Sequence, residues 1–333
     1  MNFESTEKVG NNFLHTWEHW DRAPREDHPI QLNSPHMSYA RTTRKIIGGL
    51  HGDISLCTDT NGVEFVLKRY FDSRHFRMER EVLLKCQGSP YIVQLHDVTL
   101  LEHQTNALAL QYCPCGDIFG ILIAAHDHNL MTEQLAKSIF KKIVLAVDEL
   151  HQKHIVHRDI KPENIFVDSK FNLVLGDFGL ASIQQEFKVD NTQLNDVCGT
   201  KGYMAPEIVT CETSEQRYNG YTSDMWSVAC ILFLILTSYM PLGEKGACRR
   251  DWYFNRILAG EWEKFWEQHE AYLPGALSAE AKAVLSMLFR VEPEHRMSAE
   301  SVLALPWFKD QDMLSDIQDV ECMSQITQLV VHA

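Results

Sequence analysis

Short apolar runs with the length of β-strands follow one another between residues 44 and 112. The run VEFVLKRY at 63–70 is rich in Val, Phe and Leu, and such residues fit a half-buried strand. Asn61-Gly62, immediately before it, is a strong signal for a hairpin that joins this strand to the preceding one. One helix, over residues 73–86, is expected to interrupt the strands. The pattern therefore predicts a small β-rich region.

After residue 116 the apolar positions recur at helical spacing instead. The segment TEQLAKSIFKKIVLAVDELHQK begins at Thr132, a residue type that caps helix N-termini. The chain continues mainly in this pattern to residue 308, apart from strand-like pieces around 164–176. A small β-rich part followed by a large α-rich part predicts a two-lobed α+β protein.

Both ends of the chain lie outside this pattern. Residues 1–43 are mostly polar and show no period, so we expect an N-terminal extension outside the main fold, which spans 44–308. The tail, 309–333, carries an apolar stripe typical of an amphipathic helix. The stripe consists of Met313, Ile317, Val320, Met323, Ile326 and Val330. We expect this helix to pack on the larger lobe or on a partner, with a disordered tail as the alternative.

Composition and charge exclude some classes of function. The 333 residues are 45% hydrophobic and 23% charged, as in ordinary soluble proteins. The net charge of −14 argues against a nucleic-acid partner, because neutralising phosphates requires a basic surface.

Cysteine usage and apolar segments indicate the compartment. Nine cysteines are scattered without the spacing of a disulfide framework or a zinc site, which favours a reducing environment. The N-terminus lacks the apolar stretch of a signal peptide. The longest apolar run, 226–240, has 15 residues, which is short for a membrane span and suits a buried helix. We expect a monomer in the cytoplasm or nucleus, without a membrane partner.

The segment IVHRDIKPENIFV at 155–167 holds five ionisable side chains and an asparagine between two apolar clusters. Ionisable side chains are rarely buried without partners. Either the segment is a solvated turn, or its apolar flanks hold a set of charges in place for chemistry.

Four further motifs follow in a fixed order, and together they decide between these alternatives. They are GDFGLA (176–181), CGTKGYMAPE (198–207), SDMWS (223–227) and EPEHRMS (292–298). With HRDIKPEN, they resemble a eukaryotic protein kinase of the Ser/Thr type, closest to the calcium/calmodulin-dependent kinase-like group. The resemblance implies a bilobed fold with an N-lobe at 44–112 and a C-lobe at 117–308. It also implies ATP-dependent transfer of a phosphoryl group to Ser or Thr of protein substrates.

The resemblance assigns roles to four polar residues. Asp159 would accept the proton of the substrate hydroxyl, and Lys161 would offset charge on the phosphoryl group in transfer. Asn164 and Asp177 would bind Mg²⁺ through oxygen atoms.

The loop that covers the nucleotide phosphates departs from the family pattern GxGxxGxV. In the corresponding stretch, IGGLHGDI at 47–54, Ile47 replaces the first glycine, while Gly49 and Gly52 keep the other two. Lys68 follows at the position of the phosphate-binding lysine and needs a carboxylate partner on the next helix. Glu79 and Glu81 are the candidates. Apolar residues three, four and seven positions after Glu79 favour Glu79.

The remaining nucleotide contacts are implied by position alone. Ile54, Val66 and Phe166 would enclose the adenine ring, the backbones of Gln111 and Cys113 would meet its edge, and Asp117 would meet the ribose or a basic substrate residue. The complete set of implied nucleotide-binding residues is Ile46, Ile47, Gly48, Gly49, Gly52, Ile54, Val66, Lys68, Glu79, Gln111, Cys113, Asp117 and Phe166.

Later motifs are expected to support the structure. Glu207 and Arg296 resemble a buried ion pair, and Asp224 is expected to hold the backbone of the HRD segment. Asp196 stands where many relatives carry a phosphorylated residue, so it could pair with Arg158 without phosphorylation. A solvated Asp196, with Thr192 or Thr200 as the regulated residue, is the alternative.

Two rival functions remain. A pseudokinase scaffold would bind ATP or a partner without turnover, and the irregular glycine stretch is its only support. A small-molecule phosphotransferase would share Asp159 but should lack the APE segment. For a kinase, Asp117 and Glu163 predict basic residues upstream of the acceptor. Calmodulin binding is not expected, because residues 310–333 contain no Lys or Arg.

Overall fold

The computed structural model describes residues 25–32, 39–49, 52–101, 105–184, 193–214, 217–243, 245–271, 277–308 and 313–331. The chain forms two compact units, which we call the small unit and the large unit. The small unit comprises the described residues of Phe13–Gly116 and Phe166–Ala181. The large unit comprises those of Asp117–Ile165 and Ser182–Ala333.

The small unit contains one antiparallel sheet of six strands in the order β1-β2-β3-β4-β6-β5. The strands are β1 (Arg25–Gln31), β2 (Tyr39–Gly49), β3 (Gly52–Asp59), β4 (Glu64–Arg69), β5 (Leu95–Leu100) and β6 (Asn106–Gln111). The hairpin predicted at Asn61-Gly62 joins β3 to β4. Asp59 Oδ1 accepts hydrogen bonds from the backbone N–H groups of Asn61 and Val63, both at 2.8 Å. Gly62 completes the turn with a φ of +84°, which glycine adopts readily.

The first strand lies in a region that the sequence pattern places outside the fold. β1 and the start of β2 precede residue 44, and the two strands pair antiparallel, with Ile30 opposite Ala40. Buried Leu32 and Ala40 belong to one cluster with Cys57, Phe65, Leu67, Leu101, Ala107 and Ala109. The boundary expected at 43 therefore differs from the structure. The sequence of β1, REDHPIQ, lacks an apolar alternation and contains a proline, which only an edge strand tolerates.

Helix α1 (Ser73–Lys85) is the helix predicted between the strands. Asp72 caps its N-terminus by accepting a hydrogen bond from Arg74 N. Its buried residues are Glu79, Val82 and Leu83, so the glutamate lies on the apolar face.

The large unit is mainly helical, as the sequence pattern predicts. Its helices are α2 (Ile118–Asp127), α3 (Glu133–Gln152), α4 (Pro206–Ser214), α5 (Gly220–Thr237), α6 (Trp252–Leu258), α7 (Trp262–Glu270), α8 (Ala279–Leu288), α9 (Ala299–Leu303) and α10 (Met313–Val331). Short 3-10 helices occur at Pro162–Asn164, Lys201–Tyr203, Pro293–His295 and Pro306–Phe308. Thr132 caps α3 as predicted, because its hydroxyl accepts a hydrogen bond from Leu135 N at 3.1 Å.

Among the described residues, six short strands form three two-stranded ribbons. The pairs are β7 (Ile155–Val156) with β10 (Ser182–Ile183), β8 (Ile165–Val167) with β9 (Leu173–Leu175), and β11 (Gln193–Leu194) with β12 (Tyr218–Asn219).

Helix α5 is long and apolar enough by composition to cross a membrane. It is nevertheless 89% buried inside the protein, as expected for a core helix. The run at 226–240 that the sequence assigns to a buried helix therefore largely coincides with α5.

Helix α10 contains the apolar stripe of the tail and packs on α2 and α3 of the large unit. Met323, Ile326 and Val330 are buried, and Ile326 is 0% exposed. The tail was expected to pack on the larger lobe or on a partner, and in the structure α10 contacts the large unit of the same chain. The side chains of Met313, Ile317 and Val320 lie outside the described set.

Candidate active site

In the small unit, Lys68 makes ion pairs with two carboxylates. Its Nζ lies 2.7 Å from Glu79 Oε2 and 2.7 Å from Asp177 Oδ1. Glu79 is 1% exposed, whereas Glu81, the other candidate, is exposed. The apolar face of α1 therefore selects Glu79 as the partner of Lys68.

Burial and charge oppose each other in this triad. Burial acts to lower the pKa of Lys68, but Asp177 and Glu79 raise it overall, so the ammonium stays charged. Burial raises the pKa of Glu79, and Lys68 partly offsets that effect. The ion pair with Lys68 therefore opposes the tendency of burial to neutralise the Glu79 carboxylate.

Asp177 is held in the small unit by the backbone around it. It has a φ of +60°, a left-handed conformation that costs free energy outside glycine. The preceding Gly176 has no room for a side chain, because a Cβ there would lie 2.8 Å from Val93 Cγ2 and 3.0 Å from Phe166 Cε2. Phe178 on the other side is 0% exposed. The Asp177 side chain itself is 47% exposed, so part of its carboxylate remains accessible to solvent.

The glycine-rich stretch lies along the β2–β3 hairpin. Ile47 pairs with Ile54, Gly48 with Asp53, and Gly49 with Gly52, while Ile46 also belongs to β2. A Cβ on Gly52 would lie 1.8 Å from the carbonyl oxygen of Arg69, so only glycine fits there. Leu50 and His51 lie outside the described residues.

The residues expected around the adenine lie on or beside the same sheet. Ile54 pairs with Lys68, and Val66 is two positions from Lys68, so these three share one face. The Gln111 N–H already donates to Gln94 O at 2.9 Å, and the Cys113 carbonyl accepts from Gly116 N at 3.1 Å.

In the large unit, Asp159 is surrounded by three polar side chains. Its Oδ1 accepts a hydrogen bond from Thr200 Oγ1 at 2.7 Å, and Lys161 Nζ lies 2.9 Å from its Oδ2. Lys161 also donates to Thr200 Oγ1 at 2.9 Å. Asn164 Nδ2 donates to the Asp159 carbonyl at 2.8 Å, so its amide oxygen is directed elsewhere. These contacts fix the carboxylate in one orientation.

Asp224 holds the backbone on which Asp159 lies. This carboxylate is 1% exposed and accepts hydrogen bonds from His157 N and Arg158 N, both at 2.9 Å. His151 Nε2 lies 3.1 Å from the same group. The two backbone bonds stabilise Arg158 at a φ of +68°, which is strained for a residue with a side chain. Asp224 thus lies where the sequence places it.

Arg158 also binds the segment that follows the DFG motif. Its NH1 lies 2.6 Å from Asp196 Oδ1 and 2.7 Å from Asp196 Oδ2. Tyr218 Oη donates to the carbonyl of Asp196 at 2.9 Å. Of the two alternatives for Asp196, the structure contains the pairing with Arg158.

A second ion pair stabilises the APE segment. Arg296 NH1 and NH2 lie 2.6 and 3.0 Å from the two carboxylate oxygens of Glu207. The Arg296 side chain is 0% exposed. Removing one partner of such a buried pair typically costs about 3–5 kcal/mol.

Asp117 has a structural contact that the sequence did not indicate. It caps α2, because its Oδ1 accepts hydrogen bonds from Phe119 N at 3.0 Å and Gly120 N at 3.3 Å. Burial raises its pKa to about 7, and nearby Glu163 contributes to the rise. Burial also raises the pKa of Glu163, whose Oε2 has no hydrogen-bond partner among the described residues.

Two residues near these charges were not assigned such positions from the sequence. The sequence suggests Thr200 only as an alternative regulated residue, whereas in the structure its hydroxyl bridges Asp159 and Lys161. No sequence motif points to Tyr70, although its ring lies 5.4 Å from Lys68 Nζ. The spacing of Tyr70, two positions after Lys68 in an extended run, was the available signal.

Comparison with known proteins gives a match over most of the chain. Residues 42–308 match the family described as protein kinase domain. The chain is 32% identical over 250 residues to the probable serine/threonine-protein kinase KCC4 of Saccharomyces cerevisiae, covering 74% of this chain and 22% of that protein. It is 31% identical over 234 residues to the CBL-interacting serine/threonine-protein kinase 26 of Arabidopsis thaliana, covering 70% of this chain and 48% of that protein. The chain thus spans from about a fifth to about half of the length of such relatives.

Proposed function

The chain belongs to the protein kinase family, and from that premise we propose that it is an ATP-dependent protein serine/threonine kinase. It would transfer the γ-phosphoryl group to Ser or Thr hydroxyls of protein substrates. The observation that carries the proposal is the fixed Asp159 carboxylate, with Thr200 at 2.7 Å and Lys161 at 2.9 Å. Such a carboxylate is oriented to take a proton from a hydroxyl group.

The donor set suits the cofactors that protein kinases use, ATP and Mg²⁺. When bound, ATP supplies the phosphoryl group and Mg²⁺ offsets its negative charge. We assign the Asn164 amide oxygen and the Asp177 carboxylate to the metal, because both are hard oxygen ligands. Lys68, kept charged by Glu79, is assigned to the phosphates.

The chain's own residues then have separate tasks. Asp159 accepts the proton of the substrate hydroxyl, Lys161 offsets negative charge beside it, and Thr200 keeps the carboxylate in place. Asp224 holds the backbone directly before Asp159 through its hydrogen bonds with His157 N and Arg158 N. A pseudokinase scaffold is the weaker hypothesis, since Lys68, Asp159, Asn164 and Asp177 are all present.

The proposal is tested by phosphate transfer from radiolabelled ATP to a basic peptide. Asp159→Asn should lower kcat by about 100-fold or more, because general-base catalysis typically contributes that much. Asp148→Asn, the same change on the outside of α3, is the matched control and should retain wild-type activity. Equal activity of wild type and Asp159→Asn would refute the assignment of Asp159, and no transfer by either would leave the scaffold hypothesis standing.

The preferred substrates are proposed to carry Arg or Lys upstream of the acceptor. The support is the pair of neighbouring carboxylates, Asp117 and Glu163, whose burial a cationic side chain would offset. A peptide library should select basic residues with the wild type and lose that selection with Glu163→Gln. Selection of acidic or proline-directed sites would contradict the proposal. Asp117→Asn is less informative, because Asp117 also caps α2.

We further propose that the protein acts as a monomer in the cytoplasm, without nucleic-acid, membrane or calmodulin partners. The scattered spacing of the nine cysteines supports the proposed reducing compartment. The net charge of −14 argues against a nucleic-acid partner, and the lack of Lys and Arg in 310–333 argues against calmodulin.

A further inference from the structure

Tyr70 is a buried residue directly after β4 that links Lys68 to helix α1. It is 5% exposed, and its backbone N–H donates to Asn106 O of β6 at 3.0 Å. Its ring lies 5.4 Å from Lys68 Nζ, within the range of a cation–π interaction. The same ring meets Phe76 of α1 edge-on, with centroids 5.6 Å apart.

The hydroxyl group of Tyr70 requires a separate explanation. It is buried and has no partner with good hydrogen-bond geometry among the described residues. Its charged neighbour is Glu79, and the hydroxyl contributes to lowering the pKa of that carboxyl group against the effect of burial. A buried, unsatisfied hydroxyl lowers stability, and phenylalanine would avoid that cost. A purely structural role for this position therefore favours phenylalanine over tyrosine.

The backbone at Tyr70 also touches the glycine-rich stretch. A Cβ on Gly52 would lie 1.8 Å from Arg69 O and 3.5 Å from Tyr70 Cα. The segment Arg69–Tyr70 thus contacts the β2–β3 hairpin, while the Tyr70 side chain contacts Lys68 and α1. A displacement of the β2–β3 hairpin or of α1 would therefore shift Tyr70.

We propose that Tyr70 is a positioning residue for the Lys68–Glu79 ion pair. The ring keeps Lys68 and α1 at a fixed separation, and the hydroxyl donates to Glu79 when Lys68 turns toward nucleotide phosphates. Glu79 is 1% exposed, so it needs a donor when it shares Lys68 with a second anion. This inference rests on the proposed function, because it concerns the nucleotide-binding lysine.

The test compares Tyr70→Phe, which removes only the hydroxyl, with Tyr70→Leu, which also removes the ring. Tyr91→Phe, the same conservative change elsewhere in the small unit, is the control. For Tyr70→Phe we expect KM for ATP to rise by about 3- to 10-fold, the range for loss of a hydrogen bond to a charged group with imperfect geometry. KM for the peptide should stay at the wild-type value, and the melting temperature should stay the same or rise, because Tyr70→Phe removes a buried hydroxyl that lacks a well-placed partner. Tyr70→Leu should lower kcat/KM for ATP further.

A double-mutant cycle separates positioning from packing. In a Lys68→Met background, Tyr70→Phe should no longer change affinity for Mg·ATP, because the ion pair on which it acts is gone. Direct calorimetric binding of Mg·ATP gives this result without turnover, so it stays informative if no peptide is phosphorylated. Wild-type kinetics and affinity in Tyr70→Phe would overturn the proposal. An equal effect with and without Lys68 would also overturn it, by assigning Tyr70 to packing alone.

Discussion

The protonation of two buried side chains in this protein depends on the groups packed directly against them. Glu79 is the clearest case, because it is 1% exposed and its ionised form is stabilised by Lys68 at 2.7 Å against the effect of burial. His269 is the opposite case, a base kept neutral by an aromatic environment. Its ring centroid lies 4.6–4.7 Å from those of Phe233, Tyr253 and Phe265. Both residues allow predictions that depend on charge rather than on shape.

Lys68→Met should lower phosphoryl transfer by about 100-fold or more, since electrostatic positioning of the phosphates is lost. The fold should persist, because Glu79 can take up a proton once its cation is gone. Initial rates with radiolabelled ATP and the circular-dichroism spectrum of the same sample check both parts. Glu81→Gln, on the exposed side of α1, is the control that should keep its activity. Near-wild-type turnover in Lys68→Met would show that Lys68 does not take part in phosphoryl transfer.

The second prediction concerns acid stability. Burial lowers the pKa of His269 to about 4, although a hydrogen bond to Pro241 O acts in the opposite direction. The unfolded chain has the ordinary value near 6.5, so the folded state binds fewer protons between these values. The stabilisation is complete above pH 6.5 and is lost as the pH falls to about 4. The loss amounts to about 3 kcal/mol for one buried group with this shift.

His269→Phe should remove that pH dependence. Urea unfolding at pH 7, 6, 5 and 4.5 gives the free energy of unfolding of both proteins, and their difference isolates His269. The comparison is needed because Asp117, with a pKa raised to about 7, contributes with the opposite sign in the same range. Parallel stability curves for the two proteins would show that His269 does not titrate as described.

At the scale of elements, the sequence predicts those features that depend on residues close together in the chain, such as helix caps and turns. Thr132 caps α3, Asn61-Gly62 forms the β3–β4 turn, and the apolar face of α1 selects Glu79. The structure differs from the expected boundary at the N-terminus, because β1 has the composition of an edge strand and pairs with β2, which begins before residue 44. Tertiary contacts such as the Thr200 bridge cannot be inferred from spacing, because they join residues 41 positions apart.

The ion pair between Arg158 and Asp196 leads to a prediction about the segment after the DFG motif. Protein produced without phosphate on this segment should be active, because the Asp196 carboxylate already pairs with the Arg158 guanidinium group. Asp196→Ala should lower kcat/KM by about tenfold, the effect of about 1.4 kcal/mol. Asp127→Ala, at the end of α2, serves as a control. Thr200 is a poor regulated residue, since its hydroxyl is bonded to Asp159, and Thr192 lies outside the described residues.

Mass spectrometry of the purified protein must first show that the segment carries no phosphate. An unphosphorylated enzyme that is inactive until another kinase modifies it would contradict the prediction. So would an Asp196→Ala variant with unchanged kinetics.

Helix α10 should stabilise the large unit. Ile326→Ala removes buried apolar volume between α10 and the helices beneath it, and should cost about 2–5 kcal/mol of unfolding free energy. Gln325→Ala, at the exposed neighbouring position, should change it by about 0.5 kcal/mol or less. Thermal unfolding of both variants is the measurement. Equal melting temperatures would mean that α10 does not remain docked in solution.

At the scale of the whole molecule, the polar groups are divided between the two units. Lys68, Glu79 and Asp177 belong to the small unit, while Asp159, Lys161 and Asn164 belong to the large unit. The sequence motifs point to Asp159, Lys161, Asn164 and Asp177, whereas Lys68 and Glu79 are inferred from the preceding glycine-rich stretch and from the apolar face of α1. The sequence does not give the assignment of Phe166–Ala181 to the small unit, which depends on contacts such as the one between Val93 N and Leu175 O at 3.0 Å.

The net charge of −14 leads to a prediction about substrate encounter. A negatively charged enzyme attracts a basic peptide over distances that salt screens. Raising the ionic strength from about 0.02 to 0.3 M should therefore raise KM for a basic peptide by several-fold, while KM for a neutral peptide changes little. Steady-state kinetics with the two peptides provide the comparison. The same salt dependence for both would show that long-range charge does not contribute.

The contact between Arg158 and Asp196 also has a consequence for control in the cell. A phosphate can be removed by a phosphatase, whereas a carboxylate encoded in the chain stays for the life of the molecule. A protein with this ion pair has no reversible chemical signal at that position. The ion pair is therefore insensitive to phosphatases, and reversible control of the protein has to act at other positions.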